Sequence, residues 1–189
     1  MMYAEITKII GQDRPMGPVL AVFMGGKAST FLEQKDHLIA MVTQAKLLKK
    51  IKSEGHGGRC AESLEGFLLA DPLNPPIREA SLSAVILGYG LGERKKIDPR
   101  KLSALRRLLK PGGRFGAAVP LFDGPLGLIG AAAGFLHPYR PKPMSAFEVS
   151  KAFLLSGCRY ISQVRVSRLP FPWIITLGQT RPRPWEKTA

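Results

Sequence analysis

The chain has 189 residues, the length of one domain, and 45% of them are hydrophobic, which is enough for a packed core. Its 28 Lys and Arg residues against 14 Asp and Glu give a net charge of +14, which favours an anionic partner or substrate. This composition excludes an intrinsically disordered chain and, with two cysteines, a fold held together by disulfides.

The two cysteines and the apolar stretches set expectations about compartment and membrane. Cys60 and Cys158 lie far apart without metal-ligand spacing, so we predict no metal site and a reducing, cytoplasmic environment. The first ten residues lack the charged-then-apolar order of a signal peptide. The apolar stretch 124–136 is too short to span a bilayer and is interrupted by glycines and a proline, so no membrane span is expected.

Short apolar runs alternate with turns and amphipathic stretches in the first half of the chain. The runs predict four buried strands, at residues 19–23, 38–42, 67–70 and 83–87. Between the second and third of them, residues 44–53 place leucines on one side and lysines around them, which predicts an amphipathic helix.

A second helix is predicted from Asp98, a good N-cap, and Pro99, a good first helical residue, and is expected to run to Leu109. Pro111 is expected to stop this helix, Gly112-Gly113 to form a tight turn, and residues 114–119 to form the fifth strand.

The last third of the chain predicts one more helix and a closing hairpin. Ser145-Ala-Phe-Glu148 is a capping box, and Gly157 is suited to end the helix that the box begins. Strands are expected at 161–167 and 173–177, joined by a link at 168–172. We expect 121–144 to form a lid-like insertion and 180–189 to form a frayed tail.

The junction Leu109-Lys110-Pro111-Gly112-Gly113 resembles the signature that leads into the fifth strand of class I S-adenosylmethionine (SAM)-dependent methyltransferases. The order of elements is similar to the compact UbiE-like, type 11 branch of that superfamily. The resemblance implies an α/β, Rossmann-like class I methyltransferase fold. It consists of a mainly parallel seven-stranded sheet with a C-terminal antiparallel hairpin, in a single domain over 1–189. It also implies SAM as the cofactor.

The loop after the first strand departs from the family pattern of hydrophobic-Asp-hydrophobic-Gly-x-Gly-x-Gly. Ala21 stands at the acidic position, Phe23 at the first glycine and Lys27 at the third. Gly25 keeps its place, with Gly26 beside it, and these two are the predicted cofactor-binding glycines. Since glycine allows a close backbone approach, the side chains of Phe23 and Lys27 argue against the usual cofactor pose.

After the second strand, the family has an acid that accepts hydrogen bonds from the ribose hydroxyls. Val42 occupies that position here, and Thr43, the next residue, could make one such bond. Asp71 stands where the family often contacts the adenine amino group, although an Asp before proline is also common in turns.

Gly88 and Tyr89 complete the predicted cofactor site after the fourth strand. The run Gly88-Tyr-Gly-Leu-Gly92 could also cradle a phosphate, or simply be a flexible loop.

Candidates for a catalytic acid or base are Asp123, His137 and Tyr139, which fall in the lid-like insertion where the family binds its acceptor. A lone histidine in such a segment is more often structural, and the apolar lid would suit a hydrophobic acceptor or cover a dimer interface.

Basic residues gather at 46–52, 94–107 and 165–183, either as one positive rim or as separate solvated faces. Two functions remain open. The chain is either a SAM-dependent methyltransferase acting on a hydrophobic or anionic small molecule, or a catalytically inactive methyltransferase-like scaffold. The scaffold's basic surface would bind an anionic partner such as RNA. Neither the acceptor nor the oligomeric state follows from the sequence.

Overall fold

The computed structural model describes residues 17–23, 38–43, 45, 49, 64–88, 98–121, 144–168 and 171–181. Residues 45 and 49 are helical, in agreement with the helix predicted over 44–53. The other elements in these ranges are β1 (Val19–Phe23), β2 (Leu38–Val42), β3 (Leu64–Leu69), β4 (Leu82–Gly88), α1 (Pro99–Arg107), β5 (Leu109–Pro120), α2 (Ala146–Leu155), β6 (Arg159–Arg168) and β7 (Phe171–Gln179).

The seven strands form one sheet in the order β3-β2-β1-β4-β5-β7-β6. Strands β1 to β5 pair in parallel, and β7 pairs antiparallel with both β5 and β6. The predicted mainly parallel sheet with a closing antiparallel hairpin is therefore confirmed. None of the helices in the described ranges is long and apolar enough to cross a membrane.

Strand β1 is apolar along its whole length, and β4 is apolar apart from Ser83 and its final glycine, because both faces of the central sheet are buried. Leu20, Ala21 and Val22 of β1 are each at most 1% exposed, and Val85 and Ile86 of β4 are equally buried. Continuous apolar runs of this kind are typical of parallel sheets that are buried on both sides.

Helices α1 and α2 cover one face of the sheet over its β5–β7 half. Leu102 and Leu105 of α1 join Val149 and Phe153 of α2 in one buried cluster, together with Phe115 of β5. The Phe115 and Phe153 rings meet edge to face, with centroids 5.2 Å apart. This aromatic pair links α2 to the middle of the sheet.

Both ends of α2 follow the prediction from sequence. Ser145 Oγ accepts from the Glu148 backbone N–H at 3.2 Å, and the Glu148 carboxylate accepts from the Ser145 N–H at 3.0 Å. At the other end, the Gly157 N–H donates to Leu154 O, and the Cys158 N–H donates to Phe153 O. Gly157 has φ of 87°, so this is a Schellman motif that needs its glycine.

The junction around Pro111 is built differently from the prediction. Helix α1 ends at Arg107, with Leu108 as its C-cap, and β5 already begins at Leu109. Pro111 therefore does not stop the helix. Leu82 pairs with Leu109 and Ala84 with Arg114, so the residues between Leu109 and Arg114 bulge out of the strand. The tight backbone expected at the two glycines is present, since Gly112 has φ of 75°, but it lies within β5.

The end of β7 holds this bulge in place. The Gln179 side-chain amide donates to Gly112 O at 2.9 Å, and Thr180 Oγ1 donates to Lys110 O at 2.7 Å. The Thr180 backbone N–H donates to Gly113 O at 2.9 Å. Thr180, predicted to begin the frayed tail, is instead buried and anchored. Residues 182–189 lie outside the described ranges.

Strand boundaries differ from the sequence prediction in β3 to β7, and the early start of β3 and the extent of the closing hairpin have clear causes. Strand β3 starts at Leu64 because pairing with β2 extends it through a polar Glu and a glycine, which masked the apolar pattern. Residues 168 and 171–172, predicted as part of a linking loop, instead belong to the hairpin strands, since Arg168 pairs with Phe171.

Candidate functional site

The order of the strands reverses at β1, which has β2 on one side and β4 on the other. Both pairs are parallel, and Phe23, the last residue of β1, is in register with Val42 of β2 and Gly88 of β4. Val42 is in turn in register with Leu69 of β3. Four strands therefore end at one level. In open parallel sheets, ligands bind at the carboxyl ends of the strands, at such a switch point.

The two positions where the resemblance implied carboxylates carry buried apolar side chains. Ala21 is 1% exposed and Val42 is fully buried. Both side chains therefore contribute to the core, and neither carries a hydrogen-bonding group.

Thr43, immediately after β2, carries an unpaired polar atom. Its Oγ1 is buried and has no hydrogen-bond partner in the described part of the chain. A buried hydroxyl without a partner costs about 1 to 3 kcal/mol, so such groups are rare outside places where a ligand or water completes them. Among the described residues at this edge, Thr43 is the one whose buried polar atom a ligand group could complete.

Asp71 begins the loop after β3, at the same edge of the sheet as Thr43. The Ala70 N–H donates to Val42 O at 3.1 Å, which extends the pairing of β2 and β3 into this loop. Asp71 is exposed, and its Oδ1 accepts from the Leu73 N–H at 2.9 Å. The carboxylate thus shapes its own turn, as the simpler sequence interpretation held. The second oxygen remains as an acceptor for a ligand.

Leu69 is an exposed apolar residue at this edge that the sequence analysis did not name. It is the last residue of β3, in register with Val42, and it is 49% exposed at the edge where the strands end. The exposed leucine offers an apolar surface at the same edge of the sheet at which Thr43 and Asp71 supply hydrogen-bonding groups. A large apolar residue at the end of the predicted strand, shortly before the Asp71-Pro72 turn, was the available signal.

Other predicted site residues lie outside the described ranges, namely Gly25, Gly26, Lys27, Tyr89, Asp123, His137 and Tyr139. Gly88 is described through its backbone, at the switch point. The structure therefore brings together Thr43, Asp71 and Gly88 from the predicted cofactor set.

Within the described ranges, no side chains are grouped to bind a metal, and the described cysteine is not a reactive thiol. The described residues contain no group of three or more metal-ligating side chains. Burial raises the pKa of the Cys158 thiol, and the Ser156 hydrogen bond and the Arg106 charge oppose the rise only in part. Cys158 therefore stays protonated at neutral pH and is not an activated nucleophile.

No protein-family model matches this chain, and no curated protein matches it. Solved structures do match. A SAM-dependent methyltransferase from Thermotoga maritima is 15% identical with a TM-score of 0.65, over 95% of this chain and 89% of that one. A Burkholderia thailandensis 1,6-didemethyltoxoflavin-N1-methyltransferase with bound S-adenosylhomocysteine is 16% identical with a TM-score of 0.63, over 95% and 76% of the two chains. The YcgJ protein of Bacillus subtilis is 12% identical with a TM-score of 0.67, over 95% and 99%. At these identities the likeness establishes the fold.

Proposed function

We propose that this chain, which has the Rossmann-like fold of class I SAM-dependent methyltransferases, binds SAM and transfers its methyl group to a hydrophobic or anionic small molecule. The observation that carries the proposal is the unpaired Thr43 hydroxyl at the carboxyl edge of the sheet. A cofactor with polar hydroxyls at this edge would complete it. The fold supports the same cofactor class, because the Burkholderia enzyme with this fold has S-adenosylhomocysteine bound.

Three described residues fit the adenosine part of the cofactor. The Thr43 hydroxyl would bond to a ribose hydroxyl, in place of the carboxylate that Val42 cannot supply. Leu69 would lie against the adenine ring, and Asp71 would accept a hydrogen bond from its amino group. Gly88, in register with Phe23, has no side chain to obstruct the approach from β4.

The cofactor supplies an activated methyl group on a sulfonium, so the chain's own contribution is mainly to hold two reactants in line. An acceptor that must lose a proton would need a base, and Asp123, His137 and Tyr139 are our candidates. These assignments, the UbiE-like branch and a cytoplasmic location remain predictions.

Replacing Thr43 with valine should weaken binding of S-adenosylhomocysteine about tenfold, the loss that corresponds to one hydrogen bond in a buried site. The same change removes an unpaired buried oxygen from the free protein, so its melting temperature should stay unchanged or rise. Isothermal titration calorimetry and thermal unfolding of the same samples measure both effects.

Thr43→Ser is the matched control because it keeps the hydroxyl and should retain nearly all of the affinity. Equal affinity of the valine and serine variants for S-adenosylhomocysteine would mean that the Thr43 hydroxyl does not bind the ligand. A lower melting temperature for the free valine variant would mean that the hydroxyl has a structural partner.

A second function is favoured by one specific observation, the buried alanine and valine at both carboxylate positions. A chain that had lost SAM would tolerate such residues, and its net charge of +14 would then serve an anionic partner such as RNA.

Phe23→Gly separates the two functions. Restoring a family glycine should strengthen S-adenosylhomocysteine binding in a working site and leave it undetectable in a lost one.

A further inference from the structure

Helix α2 has an apolar face that nothing in the described structure covers. Phe147 is 74% exposed, Leu154 61% and Leu155 63%, and Lys151 is exposed among them. At positions i, i+4, i+7 and i+8, these four residues fall on one side of the helix. We call them the outer face of α2. The opposite side, with Val149 and Phe153, is fully buried.

Large apolar side chains that are mostly exposed and lie together on one helix are unusual for a surface without a partner. The charge around them limits what that partner can be. Arg159, which follows α2, is exposed and basic. Glu148, on the same helix, has its carboxylate engaged with Ser145 in the capping box.

Helix α1, which packs beside α2, strengthens the positive charge. It contains Arg100, Lys101, Arg106 and Arg107 and no acidic residue. The Arg106 side chain lies against the end of α2, where a Cβ at Gly157 would be 3.2 Å from Arg106 Nε. Arg100 and Arg107 are exposed, and an exposed ion pair joins Arg107 to Glu79 at 3.7 Å. The two neighbouring helices therefore combine exposed apolar residues on α2 with exposed basic residues on α1.

We propose that the outer face of α2 docks on the surface of an anionic phospholipid bilayer. Phe147, Leu154 and Leu155 would enter the boundary between headgroups and acyl chains, while Lys151 and the basic residues of α1 contact the lipid phosphates. The helix lies on the bilayer in this arrangement and does not cross it. The proposal is independent of whether the chain binds SAM.

Two other occupants fit the same observations less well. A second copy of the chain would bring the same arginines and Lys151 together, and like charges at an interface oppose association. Single-stranded RNA would stack on aromatic rings, but two of the three apolar residues of the outer face are leucines, which offer no stacking surface.

The test is cosedimentation of the full-length protein with vesicles of phosphatidylcholine alone and with vesicles that contain roughly one third phosphatidylglycerol. The variant carries Phe147→Ser, Leu154→Ser and Leu155→Ser together. Since all three side chains are exposed, the variant should keep its fold, which its melting temperature checks. Val164→Thr is the matched control. It removes a 40% exposed apolar residue from β6, whose neighbour Gln163 bonds to α2 and which therefore faces away from that helix.

We expect the wild type and Val164→Thr to bind the anionic vesicles, and the triple variant to bind them at least about tenfold more weakly. Binding to phosphatidylcholine alone should be weak, and salt should reduce binding to the anionic vesicles. Failure of the wild type to bind anionic vesicles overturns the proposal, as does equal binding by the triple variant. If the triple substitution instead dissociates a dimer or weakens binding of a single-stranded RNA, with no effect on vesicles, the occupant is a second copy or RNA.

Discussion

Replacing Phe153 with alanine should lower the free energy of unfolding by about 3 to 5 kcal/mol, the range for removing a buried phenylalanine ring. Phe153 is fully buried, its ring meets that of Phe115 at 5.2 Å, and it lies close against β7. A Cβ added at Gly178 of β7 would be only 2.9 Å from Phe153 Cδ1. The ring thus fills the space between α2 and two strands, and the rigid sheet cannot collapse into the cavity.

Urea unfolding measures this loss, since a single domain of this size commonly unfolds in one cooperative step. Leu154→Ala is the matched control, because Leu154 is the next residue of α2 and is 61% exposed. It should change the stability by at most about 0.5 kcal/mol. A loss for Phe153→Ala no greater than that of Leu154→Ala would mean that α2 does not pack on the sheet through this ring.

Replacing Gly113 with alanine should cost about 1 to 3 kcal/mol of stability, because the junction that resembles the family signature has no room for a side chain. A Cβ at Gly113 would lie 2.8 Å from the Lys110 carbonyl oxygen and 3.1 Å from Leu109 Cβ. The first of these is a backbone atom of the same bulge, so the bulge itself must shift. Thr180, which bonds to both Lys110 O and Gly113 O, would lose its anchors.

Gly66→Ala in β3 is the control for this change, because a Cβ there meets no atom within 4 Å. Its stability should stay close to that of the wild type. The affinity of Gly113→Ala for S-adenosylhomocysteine, measured where it is folded, should be unchanged. A stable Gly113 variant with reduced affinity would show that the junction acts at the ligand site and not as a joint between β5 and β7.

Local signals predicted the elements whose ends are set by neighbouring residues in the chain. Asp98 caps α1 through its Oδ1 and the Arg100 N–H at 2.9 Å, and Ser145 and Glu148 cap α2, both as expected. The apolar runs located β1 and β2 to the residue. The mainly parallel sheet with its closing hairpin came from the resemblance, whereas the order of the strands was not predicted, since apolar runs carry no information about which strands are neighbours.

Long-range contacts decided the features that the sequence did not predict. By their local sequence, Pro111 and the two glycines predicted a helix stop and a turn. The segment instead belongs to β5 because Leu109 pairs with Leu82 of β4. Polar composition suggested a frayed tail from Thr180, yet its hydroxyl bonds to Lys110, which is distant in the chain.

The candidate site was predictable in position but not in detail. The loops at the carboxyl ends of the strands were the predicted location, and Thr43 and Asp71 were named from the resemblance, whereas the switch point at β1 is known only from the structure. Within the described residues, the Thr43 hydroxyl lacks a partner and Leu69 is exposed on β3, the edge strand of the sheet, and no local pattern encodes either feature.

The measurement that tests the proposed function most directly is isothermal titration calorimetry of SAM and S-adenosylhomocysteine into purified wild-type protein freed of nucleic acid. We predict dissociation constants in the micromolar range for the wild type. Thr43→Val should raise the constant for S-adenosylhomocysteine about tenfold. Absence of any binding heat at millimolar ligand would contradict the methyltransferase function and leave the basic, methyltransferase-like scaffold as the remaining proposal.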